Sequence, residues 1–461
     1  MKDRIERFDM AKPPVPCRWY LRPLLWLLCF PALLMHRTKI TKIGMKGLKG
    51  PYLLLGNHNA FYDMKVSIAA CFPRIPNYIV AIDGYIGREW VLRAIGGICK
   101  RKFTNDPSLI RQLRTVVKQG GVIGLYPEAR YSLCGTTAPL PESLGKVCKF
   151  LKVPVVVLLC HGHHVNHPFW NTRRERKVRP TEATMKLLFT PSDLEELSPS
   201  EINARLVEEF QYDDFRWQKE HLVPVDDPER AVGLEKILYQ CPHCGTEFRM
   251  RSAGTRLTCD ACGSAWEMDR YGSLTEIKTA EAHGAPLSDQ FVPLHFSHIP
   301  DWYEWERENV RREVRDGTYS SGELPVHVDS LPNAKRYLRL GSGTMTHDMD
   351  GFHVRVTPDP DVFRAAYGEG SNYSGIELRD GELVMEKPVP SLYSCHVEYE
   401  YLFKHGDCVD LNTLTDTWYT YPETQDHGGK PFSVTKMAIA TEELYYLYRE
   451  KIGKPCPRGL A

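Results

Sequence analysis

A histidine and a carboxylate stand five residues apart in Gly56-Asn57-His58-Asn59-Ala60-Phe61-Tyr62-Asp63. The segment follows an apolar run and precedes a helical pattern, so it reads as a strand-to-helix turn. Such turns present side chains at the carboxyl end of an open α/β sheet, where ligands bind. Across the turn, Asp63 can hold one ring nitrogen of His58 and raise the basicity of the other. That makes a general base able to take a proton from a hydroxyl. The alternative is a histidine that merely caps a turn.

Three further segments weight the choice. Gly96-Gly97-Ile98-Cys99-Lys100-Arg101-Lys102 joins a glycine pair to three cations. Leu125-Tyr126-Pro127-Glu128-Ala129-Arg130-Tyr131-Ser132 again follows a strand pattern. Lys152-Val153-Pro154-Val155-Val156-Val157 is an apolar strand with a proline. In this order and spacing the four resemble the four blocks of the glycerolipid acyltransferase superfamily, which includes lysophosphatidate acyltransferases. The first block is the family's NHxxxxD pattern, matched by Asn57, His58 and Asp63. The resemblance covers roughly residues 20–215.

The resemblance implies a mixed α/β sheet flanked by helices. It implies that His58 deprotonates an acceptor hydroxyl, that Asp63 orients His58, and that the oxygen attacks the thioester of acyl-CoA or acyl carrier protein. Neither an acyl-enzyme nor a catalytic cofactor is implied. Asn57 belongs to the substrate side. Lys100, Arg101, Lys102 and Arg130 would hold the phosphate of a lysophospholipid acceptor. Glu128 would position the acceptor or order the pocket. One block departs from the family: Ala129, Arg130 and Tyr131 stand where it usually has Gly, Thr and Arg. In an extended chain a shift of one residue reverses side-chain direction. The departure favours a non-phosphate acceptor, such as a glycolipid or another alcohol. A structural ion pair for Arg130 is a further alternative. A non-catalytic lipid-binding scaffold is the rival reading for the whole chain.

Farther on, Cys241-Pro242-His243-Cys244 and Cys259-Asp260-Ala261-Cys262 form two CxxC knuckles, each followed by a glycine. Four thiolates close a tetrahedral site, so the spacing predicts one structural zinc. The acidic flanks suit a spacer or docking module better than a nucleic-acid reader. Cys160-His161-Gly162-His163-His164, with His167 nearby, fits no standard zinc spacing and is read as a turn or a lining of the acyl or acceptor pocket, with transition-metal binding as the alternative. The basic run Arg173, Arg174, Arg176, Lys177 and Arg179 reads as a solvated loop that also suits anionic headgroups.

These sites need a scaffold. Strand patterns at Tyr52–Leu55, Tyr78–Ala81, Val122–Tyr126 and Val153–Cys160 alternate with helical ones at Met64–Cys71, Arg88–Gly96, Pro107–Gln119 and Leu144–Leu151, which is an α/β rhythm. Ser198–Leu222 reads as one further helix. Helices are also predicted at Pro300–Arg315 and Glu442–Lys451. Between Gly322 and Lys436, short alternating runs and turn residues predict an antiparallel β domain. The organisation is therefore 1–45 a basic interfacial anchor, 46–223 an acyltransferase-like domain, 224–280 a zinc ribbon and 290–461 a β-rich domain.

Composition bounds the rest. The 461 residues are 42% hydrophobic and 25% charged, which excludes a disordered chain or a multi-span membrane protein. A net charge of +1 excludes a generic polyanion binder, and no nucleic acid is expected. Residues 1–50 hold eleven Lys/Arg against three Asp/Glu, whereas residues 301–461 hold eighteen against twenty-seven. The apolar stretch 19–35 contains two prolines and an arginine and is flanked by cations, which suits an interfacial anchor rather than a span. Beyond the four knuckle cysteines, the other ten of the fourteen show no framework spacing and suit a reducing compartment, so the expected location is the cytoplasmic face of a membrane.

Overall fold

A computed structural model describes residues 4–171, 175–278, 292–368, 373–400, 405–457 and 459–460. Arg173 and Arg174 of the basic run lie outside them. The first unit carries β1 (Lys39–Ile43), β2 (Tyr52–Gly56), β3 (Asn77–Ala81), β4 (Ile98–Lys100), β5 (Val122–Leu125), β6 (Val155–His161) and β7 (Glu182–Phe189). Their spatial order is β1-β7-β6-β2-β5-β3-β4. All neighbours run parallel except β6 and β7. β2 lies at the centre and is buried along its whole length, as the unbroken apolar run Tyr52-Leu53-Leu54-Leu55 requires.

Helices α1 (Arg22–Met35), α2 (Tyr62–Ala70), α3 (Glu89–Ala94), α4 (Pro107–Lys118), α5 (Ser143–Leu151), α6 (His163–Asn166), α7 (Pro191–Glu196), α8 (Pro199–Glu209) and α9 (Asp214–Glu220) accompany this sheet. The single helix expected over Ser198–Leu222 is two. The chain breaks at Phe210–Asp213, where the Asp213 carboxylate accepts the Arg216 amide at 2.8 Å and caps α9. The break aims the Tyr212 hydroxyl at Asn59 Oδ1, 3.0 Å away.

The ribbon strands β8 (Met250–Ala253), β9 (Arg256–Cys259), β10 (Ala265–Met268) and β11 (Leu274–Lys278) form a four-stranded antiparallel sheet. After α10 (Ile299–Arg315) comes an eight-stranded antiparallel sheet between Leu324 and Pro422. A final helix spans Val434–Lys451, starting well before the expected Glu442. Its first turns, from Val434 to Leu444, are buried on every side, so no polar face marks the helix in the sequence. Ribbon, α10, β sheet and final helix share one apolar core that also takes in Trp170, Phe215 and Trp217 of the first unit.

Residues 4–45 make contacts with the first sheet and with the β-rich unit. The Ile5 and Phe8 amides donate to the Ala365 and Pro332 carbonyls, both at 3.0 Å, and Arg7 pairs with Asp416 at 2.7 Å. β1 joins the first sheet as its edge strand. α1 runs unbroken through Pro31. At 14 residues it is about 21 Å long, short of a ~30 Å hydrocarbon core. Among the described residues, no helix is long and apolar enough to cross a membrane.

Candidate active site

β2 ends at Gly56, and the turn to α2 carries the site. A Cβ at Gly56 would meet Tyr126 Cε1 at 2.9 Å, so glycine is what lets that ring close over the turn. Asn57 fastens the strand end: its amide donates to the Cys160 carbonyl at 2.9 Å, and its Oδ1 accepts the Cys160 amide at 2.8 Å. The loop after β5 is clamped onto the same turn by the Ser132 amide donating to the His58 carbonyl at 2.9 Å.

His58 and Asp63 meet: His58 Nδ1 lies 3.2 Å from Asp63 Oδ2. The same oxygen accepts the Asn59 and Ala60 amides at 2.6 and 2.9 Å. The His58 ring lies between two phenols, stacked on Tyr126 at 4.2 Å and tilted against Tyr131 at 4.3 Å. Its side chain remains 22% exposed, and Nε2 takes no hydrogen bond from the described residues. Asp63 is buried. Burial alone would raise its carboxyl, but hydrogen bonds from His163 and His58 outweigh that and hold it at about 2. It is therefore a carboxylate fixed in place, with one imidazole turned toward solvent.

The second histidine, His163, is fully buried at the start of α6, with Nδ1 2.5 Å from Asp63 Oδ1. Sequence reading placed it in a turn or pocket lining, with metal binding as the alternative. The signal was the His-rich stretch itself, but its partner lies 100 residues earlier. Asp63, His163 and Cys160 bring ligand-type atoms within 4.8 Å of one another. His164 is buried too, and burial pushes it down to about 3. Asp214 receives the Gly162 and His164 amides at 2.9 and 2.7 Å and so holds the turn into α6.

The resemblance placed Lys100, Arg101, Lys102 and Arg130 on an acceptor phosphate. The structure engages each of them elsewhere. Lys100 donates to the Thr104 carbonyl at 2.7 Å. Arg101 is buried and donates to the Leu331, Pro332 and Thr415 carbonyls and to the Thr417 hydroxyl. Lys102 pairs with Asp410 at 2.9 Å. Arg130 is buried and pairs with Glu442 of the final helix at 2.8 Å, not with Glu128. All but Lys100 thus turn to the β-rich unit, whose approach no local pattern reveals.

Ala129 adopts a left-handed φ of +56°, the conformation the family's usual glycine takes without cost. Beyond it Arg130 turns to Glu442 and Tyr131 to His58, in a loop rather than an extended strand. Glu128 is buried behind the turn, 3.4 Å from the Tyr212 hydroxyl, and burial raises its carboxyl well above the usual range.

The four cysteines come together. Cys241 and Cys262 sulfurs lie 3.7 Å apart, and those of Cys244 and Cys259 lie 3.8 Å apart. A tetrahedron with Zn–S bonds of ~2.3 Å has edges of ~3.8 Å, so the donors fit such an ion. The knuckles repeat one geometry, with Gly245 and Gly263 at φ +72° and +74° donating to the Cys241 and Cys259 carbonyls.

A large apolar surface adjoins the turn. On and beside α1, Trp19, Leu24, Leu27, Leu28 and Leu34 are exposed, and Phe72 packs on Trp26 and Phe30 while itself exposed. Phe61, in the same turn as His58, is exposed as well.

No protein-family model and no curated protein matches this chain. Among solved structures, it is similar to the 1-acyl-sn-glycerophosphate (LPA) acyltransferase PlsC of Thermotoga maritima. The TM-score is 0.33 at 17% identity, over 41% of this chain and 76% of that one. A likeness of that degree carries no functional assignment, which rests on the residues.

Proposed function

We propose that this chain is an O-acyltransferase, moving an acyl group from acyl-CoA or acyl carrier protein to a hydroxyl of a lysophospholipid-like glycerolipid. The observation that carries the reading is the His58 imidazole, held at Nδ1 by a buried carboxylate, set between two tyrosines and open at Nε2. His58 Nε2 takes the acceptor's hydroxyl proton as its oxygen attacks the thioester carbonyl. The C–S bond breaks, an ester forms, and the departing thiolate recovers the proton from the imidazolium. Asp63 stays ionised throughout and stabilises that imidazolium.

The exposed apolar face of α1 and the basic residues around it support docking on the cytoplasmic surface of a membrane. The donor set of Cys241, Cys244, Cys259 and Cys262 supports a structural zinc, with no step of the chemistry routed through it.

A specific observation favours a second reading of the acceptor. Arg101 and Arg130 are buried and spent on the β-rich unit, and Lys102 is paired with Asp410. That favours an alcohol without a phosphomonoester, such as a glycolipid. A panel of acceptors incubated with acyl-CoA and with acyl carrier protein separates the readings. Thiol release stimulated by lysophosphatidate supports the first, and release stimulated by neutral lipid alcohols alone supports the second. No acceptor-stimulated release with either donor leaves the scaffold.

A further inference from the structure

We propose that His243, Glu276 and His295 form a second metal site, a solvent-facing Zn2+ centre beside the four-cysteine one. His243 Nε2 lies 3.2 Å from Glu276 Oε2, and His295 Nδ1 lies 2.8 Å from the same oxygen. All three ligand atoms fall within 4.8 Å of one another. Ligands bound at ~2.0–2.1 Å to a tetrahedral zinc sit ~3.3 Å apart, so the three need only small movements to close on an ion.

The orientation of His243 makes this a donor site rather than a chance cluster. The inference rests here on the reading of Cys262 as a metal-bound thiolate. Such a sulfur only accepts, so the Ser264 hydroxyl, 3.1 Å away, donates to it. The Ser264 oxygen is then left to accept from His243 Nδ1, at 3.0 Å. With a proton on Nδ1, the ring turns Nε2 toward Glu276. That Nε2 is buried and has no hydrogen-bond partner. A bare nitrogen facing a carboxylate oxygen at 3.2 Å is repulsive until a proton or a metal ion stands between them. The Ser264 contact is also the kind of hydrogen bond that metal-bound histidines typically make through their other ring nitrogen.

Two histidines and one carboxylate leave a fourth position, and the 70% exposed His295 side chain opens it to water. The ligands come from the first knuckle, from β11 and from the segment entering α10. An ion there ties the ribbon to the helix that leads into the β-rich unit.

The test is titration of the full chain with Zn2+, and in parallel with Co2+, for the wild type, His295→Ala and Glu276→Gln. The expected uptake is about two ions for the wild type and about one for each variant. The thiolate-to-cobalt charge-transfer band should be equal in all three, because the four cysteines are untouched. Equal uptake in all three proteins with a full band would overturn the second site alone. No such band in the wild type would remove the four-cysteine reading and this inference with it.

Discussion

His163 and Asp63 share a contact of 2.5 Å between Nδ1 and Oδ1, on the side of the carboxylate away from His58. Asp63 is thus gripped by two imidazoles and two backbone amides, and it has no freedom to swing away when His58 takes a proton. His163→Phe removes one grip and leaves a buried oxygen unsatisfied. Turnover should fall on the order of 10–100-fold, with His163→Gln, which retains a donor, falling less. Equal turnover in all three proteins would show that the second histidine does nothing for the first.

Arg130 and Glu442 make a second test. Glu442 also accepts from Arg307 at 2.7 Å and from the Ser394 hydroxyl at 2.8 Å. Glu442→Leu strands the buried Arg130 guanidinium, while Arg307 keeps Glu443 and Glu304, and should cost about 3–5 kcal/mol, whereas Arg130→Leu leaves the carboxylate still paired and should cost less. If Arg130 serves structure alone, the KM for a phosphate-bearing acceptor should change by about twofold or less in Arg130→Leu. A rise of tenfold or more with an unchanged unfolding midpoint would restore it as a phosphate ligand.

Glu398 sits among Lys102, Asp83, Asp410 and His396. Burial pushes its carboxyl up to about 8, against the opposing pull of Lys102. The folded protein therefore holds a proton that the unfolded chain releases above ~4.3. The associated stability is fully present below that value and is lost as pH rises through about 8. Glu398→Gln imitates the protonated form at every pH. Between pH 5 and 8 the wild type should lose on the order of 3 kcal/mol more than the variant, read from urea midpoints. Parallel profiles would contradict the assignment.

Leu27 and Leu34 are exposed on α1, so Leu27→Glu with Leu34→Glu should leave the unfolding midpoint unchanged. If that face meets a membrane, binding to anionic vesicles should drop at least about tenfold, since each buried leucine is worth ~1.5–3 kcal/mol. Undiminished sedimentation with vesicles would place the docking surface elsewhere.

What the sequence revealed was local. His58 and Asp63 lie on one turn, so their spacing alone brings them together. The knuckle cysteines are equally local, with a fixed geometry around each pair. What stayed hidden depends on contacts across the chain. His163 reaches Asp63 only because β6 lies beside β2, and Tyr126 and Tyr131 flank His58 only because β5 lies on the other side of β2. The partners of Arg101, Lys102 and Arg130 belong to a unit more than 200 residues later, whose antiparallel strands announce their class but not their docking. The final helix was read short because an element buried all round shows no amphipathic period.

The most direct measurement is release of free thiol from an acyl thioester by the purified wild type and by His58→Ala, with and without a lipid alcohol acceptor. Acceptor-dependent release should appear in the wild type and fall by a factor of at least about 10³ in the variant while its unfolding midpoint is unchanged. Acceptor-dependent release that persists in His58→Ala would contradict the assignment of His58 as the base.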